Sequence, residues 1–153
     1  ETAPFAYQLA VNLIPQIGGF DEVGYTSEEM KMQNEGRKIM HLPELCVNCT
    51  CVRVPTMRSH SESITVEFER PLSPDEARVI LEDAPGIKVV DNPAELQYPM
   101  PLDTSDQDLI YVGRIRDDLS ADKDTHALTF FCCGDQIRKG AATNAVQIAE
   151  YLL

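Results

Sequence analysis

The stretch from His60 to Glu69, "HSESITVEFE", alternates apolar and polar positions with a period of two. Ile64, Val66 and Phe68 fall on one side and Ser63, Thr65 and Glu67 on the other, the pattern of a half-buried strand. His60 shares the inward parity at the open end of that strand. "LIYVGRIR" and "THALTFFCC" read as two more strands, joined by a polar turn near Ala121 to Asp124, with Gly134 breaking the second. "KVV" is a short strand followed by a long Pro-rich loop. "LCVNCTCVRVP" is rich in β-branched residues and cysteine and ends at Pro55. It is therefore also predicted as a strand, with Val47, Cys49, Cys51 and Arg53 on one face. "FAYQLAVNLIPQIGGF" reads as a strand or extended core segment that stops at Pro15 and again at Gly18-Gly19.

Helical spacing takes over in three places. Thr26 followed three residues later by Glu29 is a capping-box pattern, and it predicts a helix from Ser27 to about Met40. Glu28, Lys31, Glu35 and Lys38 lie on its exposed side. In "SPDEARVILEDAPG" Ser73 caps, Pro74 takes the first turn and Glu76 completes the box; Ala77, Ile80, Leu81 and Ala84 form the apolar stripe. "KGAATNAVQIAEYLL" is a final helix, apolar over most of its circumference and so expected to be largely buried. The order, roughly β-α-β-β-α-β-β-β-α, predicts an α+β domain spanning 1–153, with a mixed or antiparallel sheet and helices on one face. The other sheet face needs a cover, which a partner domain or a second subunit would supply.

Composition narrows the functional classes. The chain has 153 residues, 43% of them hydrophobic, enough for one domain with a sizeable core. No apolar run approaches the roughly 20 residues of a membrane span, and there is no basic signal-peptide start. A formal net charge of -12 argues against nonspecific nucleic-acid binding. It does not exclude a small anion held by two or three local cations. Five cysteines, an odd number with two adjacent, fit a reducing cytoplasm better than a disulfide framework. Glu1 in place of an initiating methionine, and Leu153 closing an apolar helix, predict a piece of a longer protein.

Cys46, Cys49 and Cys51 could suggest metal, but zinc needs about four converging ligands. Strand alternation separates these three, and Cys132 and Cys133 point to opposite faces. Small buried thiols, with no metal, are the expectation. Asn48-Cys49-Thr50 suggests a nucleophile, yet a mid-strand cysteine has neither a helix N-terminus nor a cationic setting. Arg53 and His60 carry more chemistry. Arginine's planar fork fits carboxylates and phosphates, and histidine exchanges protons near neutral pH. Each also has an ordinary reading: a structural Arg-His pair, and a solvated i,i+3 pair for Glu28 and Lys31. Together the four suit a small zwitterionic substrate and phosphate.

"NLIPQI", "YTSEEMKM", "CVRVPTMRSHSES", "VGRIR" and "GDQIRKGAATNAVQIAE" closely resemble, in order, the C-terminal half of bacterial aspartate-β-semialdehyde dehydrogenases. That resemblance implies a catalytic and dimerisation domain folded like the second domain of glyceraldehyde-3-phosphate dehydrogenase, a homodimer through the sheet, and a missing N-terminal Rossmann half that binds NADP. The family reaction converts aspartate semialdehyde, NADP and phosphate to aspartyl phosphate and NADPH, and serves lysine, threonine and methionine synthesis. A cysteine thiolate attacks the aldehyde, hydride leaves to the nicotinamide, and phosphate cleaves the thioester. By the same resemblance Arg53 grips the α-carboxylate, His60 is the acid/base, Glu28 receives the ammonium, Lys31 helps bind phosphate and Gln136 contacts the nicotinamide end of NADP. The nucleophile belongs upstream of "NLIPQI", before Glu1, so Cys49 is rejected and the chain alone is expected to be inactive. A stand-alone interaction module, and an N-acetylglutamyl-phosphate type of reductase, are the competing readings.

Overall fold

The computed structural model describes residues 4–122 and 125–153. The chain divides into two compact units, Glu1–Pro55 and Thr56–Leu153.

The first unit holds one helix, α1 (Ser27–Ile39). Its start is the expected capping box: the Thr26 N–H donates to Glu29 Oε2 at 2.7 Å, and the Glu29 N–H donates to Thr26 Oγ1 at 3.4 Å. Met40 forms the C-cap. The two strands expected here do not form. Ile14 and Arg53 make one isolated antiparallel bridge, and Phe20 bridges Thr26. "LCVNCTCVRVP" is extended but unladdered, because its neighbours are not strands. The Cys51 N–H instead donates to the Glu29 carboxylate at 2.9 Å. The predicted common face of Val47, Cys49, Cys51 and Arg53 therefore has no sheet to refer to. Nor is "FAYQLAVNLIPQIGGF" a core segment throughout: Ile14 is buried, while Val11, Leu13 and Phe20 are exposed.

The second unit is a four-stranded mixed sheet with helices. Its strands are β1 (His60–Phe68), β2 (Ile87–Val89), β3 (Ile110–Asp117) and β4 (His126–Gly134), in the spatial order β1-β4-β3-β2. The β1–β4 and β4–β3 pairs are antiparallel, and β2–β3 is parallel. The α+β expectation holds. Helix α2 (Pro74–Asp83) begins at Ser73 with a complete capping box. Its Ala77 joins Val112, Ile115 and Leu128 in a core flanked by Phe68, Leu81, Ile87 and Phe130. The inward parity of Ile64, Val66 and Phe68 is observed. The Pro-rich loop carries a short helix, α3 (Pro101–Thr104), and a 3-10 turn at Pro93–Glu95. The predicted turn at Ala121 to Asp124 lies partly outside the described residues. Strand β4 runs on to include Gly134, which pairs with His60.

A bulge between Gly113 and Arg116 interrupts the β3–β4 register. A side chain at Gly113 would collide with the Val90 carbonyl, and Arg114 sits at φ 58°. Asp91, with a side chain only 1% exposed, holds the irregularity. It accepts the Arg114 and Ile115 N–H groups at 2.7 and 3.2 Å, and Arg78 Nε donates to it at 2.8 Å.

The last helix departs from expectation. A π turn (Arg138–Ala142) precedes α4 (Thr143–Leu152), and no α4 residue is buried. Its inward side is polar: Thr143 Oγ1 donates to Asp108 at 2.7 Å, and Lys139 Nζ reaches Gln147 at 2.7 Å. Val146, Ile148, Tyr151 and Leu152 face outward instead. Apolar composition predicts burial, but the tertiary contacts here are made by hydroxyl, amide and ammonium groups.

Replacing Asp91 by alanine leaves two backbone donors without an acceptor and removes the Nε partner of Arg78, which keeps Asp75 and the Ile115 carbonyl. It is expected to destabilise the second unit by about 3 kcal/mol, against about 0.5 kcal/mol or less for the exposed Arg116→Ala. Denaturant unfolding measures both, and equal small effects would refute the bulge-holding role of Asp91.

Candidate functional site

Glu28, Lys31 and Arg53 belong to the first unit, and His60 and Gln136 to the second. In the first unit the central group is Glu29, which sequence reading had recognised only as a capping residue. It is nearly buried, and both carboxylate oxygens accept backbone N–H groups, one from Thr26 and one from Cys51. Those two bonds hold its carboxyl below the usual carboxylate range. They also tie the first turn of α1 to the segment that carries Arg53. Arg53 is fixed from its other side, its N–H donating to the Ile14 carbonyl at 2.8 Å and its carbonyl accepting from Ile14 at 3.1 Å. Its guanidinium lies 5.6 Å from the Phe5 ring centroid. Among the described residues it makes no ion pair. Glu28 and Lys31 form the solvated i,i+3 pair, 3.4 Å apart, with both side chains still accessible. The geometry offers a held but unneutralised cation in the same unit as an accessible carboxylate and ammonium.

In the second unit His60 opens β1 at the sheet edge and is exposed. It lines a cleft of about 430 Å³ with Glu62, Cys132, Gln136, Lys139 and Asn144. Gln136 lies just past the end of β4, and its Oε1 accepts the Ser59 N–H at 2.8 Å. Sequence reading picked His60 and Gln136 but missed their supports. Asp135 is fully buried, and its oxygens accept the N–H groups of Asp106, Ile137 and Arg138 at 2.7, 2.8 and 3.1 Å. Arg58 Nε lies 2.7 Å away, in an ion pair whose alignment is poor for a hydrogen bond. Burial raises the Asp135 pKa, but the backbone donors and Arg58 outweigh it and bring it down to about 2. The available signal was a carboxylate placed directly after a strand-ending glycine. A depression of about 460 Å³ elsewhere in this unit is walled by Glu76, Asp117, Asp118 and Asp122. Among the described residues its charged lining is these four acids, with His126 beside them.

Cys51, Cys132 and Cys133 are poor nucleophiles where they stand. Burial, then Cys49 and the carboxylates of Glu29 and Glu28, push the Cys51 thiol up to about 11. Burial pushes Cys132 to about 12 and raises Cys133, which sits 3.3 Å from Ser61 Oγ. Cys46 is exposed, contrary to the expectation of buried thiols throughout. Among the described residues no three His, Cys, Asp or Glu side chains converge as a metal site would require.

The fold and this distribution of groups define a class. A family model described as the dimerisation domain of semialdehyde dehydrogenases matches residues 1–139, and the chain belongs to that family. It is 50% identical over 149 residues to an aspartate-semialdehyde dehydrogenase of Aquifex aeolicus, and 53% identical over 150 residues to one from Campylobacter jejuni. These matches cover 97% and 98% of the chain but 43% of each relative. The crystal structure of aspartate semialdehyde dehydrogenase II from Vibrio cholerae, complexed with ASA, superposes with a TM-score of 0.92 at 41% identity, over 99% of this chain and 44% of that one. The chain thus spans less than half the length of the curated relatives it matches, and corresponds to their C-terminal part.

Asp108 supplies a pH test. Arg138 donates to it bidentately at 2.8 and 2.8 Å and Thr143 adds a third bond, which lowers its pKa from 3.8 to about 2. A depressed carboxyl stabilises the fold above its unfolded pKa, and that contribution is lost as pH falls through the folded one. The stability gap between the parent and Asp108→Asn should therefore be full at pH 5 and close between about pH 4 and pH 2. Thermal melts across that window measure it, and a gap unchanged at pH 2 would contradict the assignment.

Proposed function

We propose that this chain is the substrate-binding and dimerisation half of an NADP-dependent aspartate-semialdehyde dehydrogenase. The whole protein would convert L-aspartate 4-semialdehyde, phosphate and NADP to 4-aspartyl phosphate and NADPH, reversibly, in the cytoplasm. The reductive direction would feed lysine, threonine and methionine synthesis. One observation carries this reading: identity of half or more across nearly the whole chain with relatives bearing that enzyme's name.

The residues support roles in binding and proton transfer. The Arg53 fork receives the substrate α-carboxylate, to which its planar pair of donors is matched. Glu28 accepts the α-ammonium, and Lys31 supplies charge to phosphate. His60, exposed at the rim of its cleft, takes up and returns the proton of the aldehyde-derived oxygen. Gln136 fits the nicotinamide end of the dinucleotide: with Oε1 engaged by the Ser59 N–H, its NH₂ remains to meet a carboxamide carbonyl. NADP, when bound, supplies the hydride acceptor. The attacking thiol and most of the dinucleotide site are assigned to the remaining half, so the 153 residues alone are read as inactive. The outward apolar side of α4 supports a docking surface for that half. The sheet face bearing Ser61, Ser63, Thr65, Thr129 and Phe131 is assigned to the homodimer.

Steady-state kinetics of the full-length protein test the reading. Arg53→Lys is expected to raise KM for aspartate semialdehyde about 30-fold, the loss of a bidentate carboxylate contact. His60→Ala should lower kcat by about 10²-fold or more. Glu28→Gln should weaken aspartate semialdehyde selectively relative to an N-acetylated semialdehyde, which lacks the ammonium. Phosphate-dependent NADPH formation by the isolated chain, or an unchanged KM in Arg53→Lys, would sink it.

A further inference from the structure

Arg58, Ser59 and His60 enter β1 beside Gly134, Asp135 and Gln136 leaving β4, with His60 and Gly134 in register. Ser59 is nearly buried and holds φ 77°, the left-handed region that a serine rarely adopts. Such a conformation persists only where its surroundings over-determine it. Here they do. The Ser59 N–H donates to Gln136 Oε1 at 2.8 Å, and Ser59 Oγ lies 3.4 Å from Ser105 Oγ. One residue before, Arg58 pairs with Asp135 at 2.7 Å and with Asp106 at 2.8 Å. Asp135 in turn anchors two segments of backbone, at Asp106 and at Ile137 and Arg138 immediately after Gln136. A serine with ordinary φ would turn its N–H elsewhere. Gln136 would then be free to rotate, and its carboxamide could present oxygen instead of NH₂.

We propose that Arg58, Ser59 and Asp135 form a positioning clamp. It sets the His60 backbone and the Gln136 carboxamide in one frame, so that the carboxamide meets its ligand as a hydrogen-bond donor beside the imidazole. The clamp rests on the site assignment of the preceding subsection. None of its three residues touches substrate; each acts through Gln136 or His60.

The test uses the full-length protein. In the ligand-free protein the Ser59 amide should exchange with solvent about tenfold more slowly than in Gln136→Ala. Ser59→Val, whose branched side chain resists positive φ, should lower kcat about tenfold and weaken NADP binding about fivefold, with KM for aspartate semialdehyde within about twofold. Ser59→Gly, which takes that φ without strain, should recover most of the kcat lost in the valine variant. Ser59→Val combined with Gln136→Ala should be no worse than Gln136→Ala alone, because the serine works through the carboxamide. If Ser59→Val does not fold, Arg58→Lys, which keeps the charge but loses the fork, reads the same split between NADP and semialdehyde.

The clamp is overturned if folded Ser59→Val and Arg58→Lys keep kcat and NADP affinity within about twofold while His60→Ala and Gln136→Ala lose activity. It is overturned equally if the Ser59 amide exchanges as fast in the parent as in Gln136→Ala. Full activity in His60→Ala and Gln136→Ala would instead bring down the site assignment itself, and the clamp with it.

Discussion

A buried, ionised carboxylate that gathers backbone N–H groups from two separate segments is the constraint on which the second unit depends. Asp135 follows the last ladder residue of β4, has no solvent contact, and spends its oxygens on three backbone N–H groups and a guanidinium. A buried charge is costly unless its acceptor capacity is filled. Here it is filled so well that the group stays ionised down to about pH 2. The bonds to Ile137 and Arg138 turn the chain sharply away from the sheet. The turn continues as a π segment, in which the Gly140 and Ala142 N–H groups donate to carbonyls five residues back. Gln136 stands at that corner because Asp135 makes the corner.

Glu29 plays the corresponding part in the first unit. It too is nearly buried, with each oxygen accepting a backbone N–H group, and it too converts a helix start into an anchor for an extended segment. In both units the buried acid does the structural work, and the neighbouring polar residue, Glu28 or Gln136, is left with atoms to spare. Separating the group that holds from its neighbour leaves that neighbour's polar atoms available without loosening the backbone beneath it.

The elements that local chemistry specifies were legible in the sequence. Both capping boxes, the alternation of β1 and the strand character of β3 and β4 follow from patterns a few residues long. What the sequence concealed depended on long-range partners. "LCVNCTCVRVP" has strand composition, but the Cys51 N–H found a carboxylate 22 residues away instead of a neighbouring strand. The final helix has core composition, but hydroxyl and amide side chains turned its apolar side outward. Arg53, His60 and Gln136 were visible through family motifs. Arg58, Asp135 and the left-handed Ser59 were not, because no local pattern marks a residue that supports another.

Charge gives the arrangement its logic. The chain carries 25 acidic against 13 basic residues, so carboxylates that could neutralise an arginine are in excess. Arg58, Arg78 and Arg138 are in fact committed, each to a carboxylate at 2.7 or 2.8 Å. Arg53 is held by other means: backbone bonds to Ile14, an aromatic ring under the guanidinium, and a neighbouring segment pinned by Glu29, whose own oxygens are already occupied. A carboxylate beside the fork would have positioned it just as well, but at the cost of its affinity for an incoming anion. Among the described residues Arg53 is thus an arginine of a strongly acidic protein whose guanidinium no carboxylate engages.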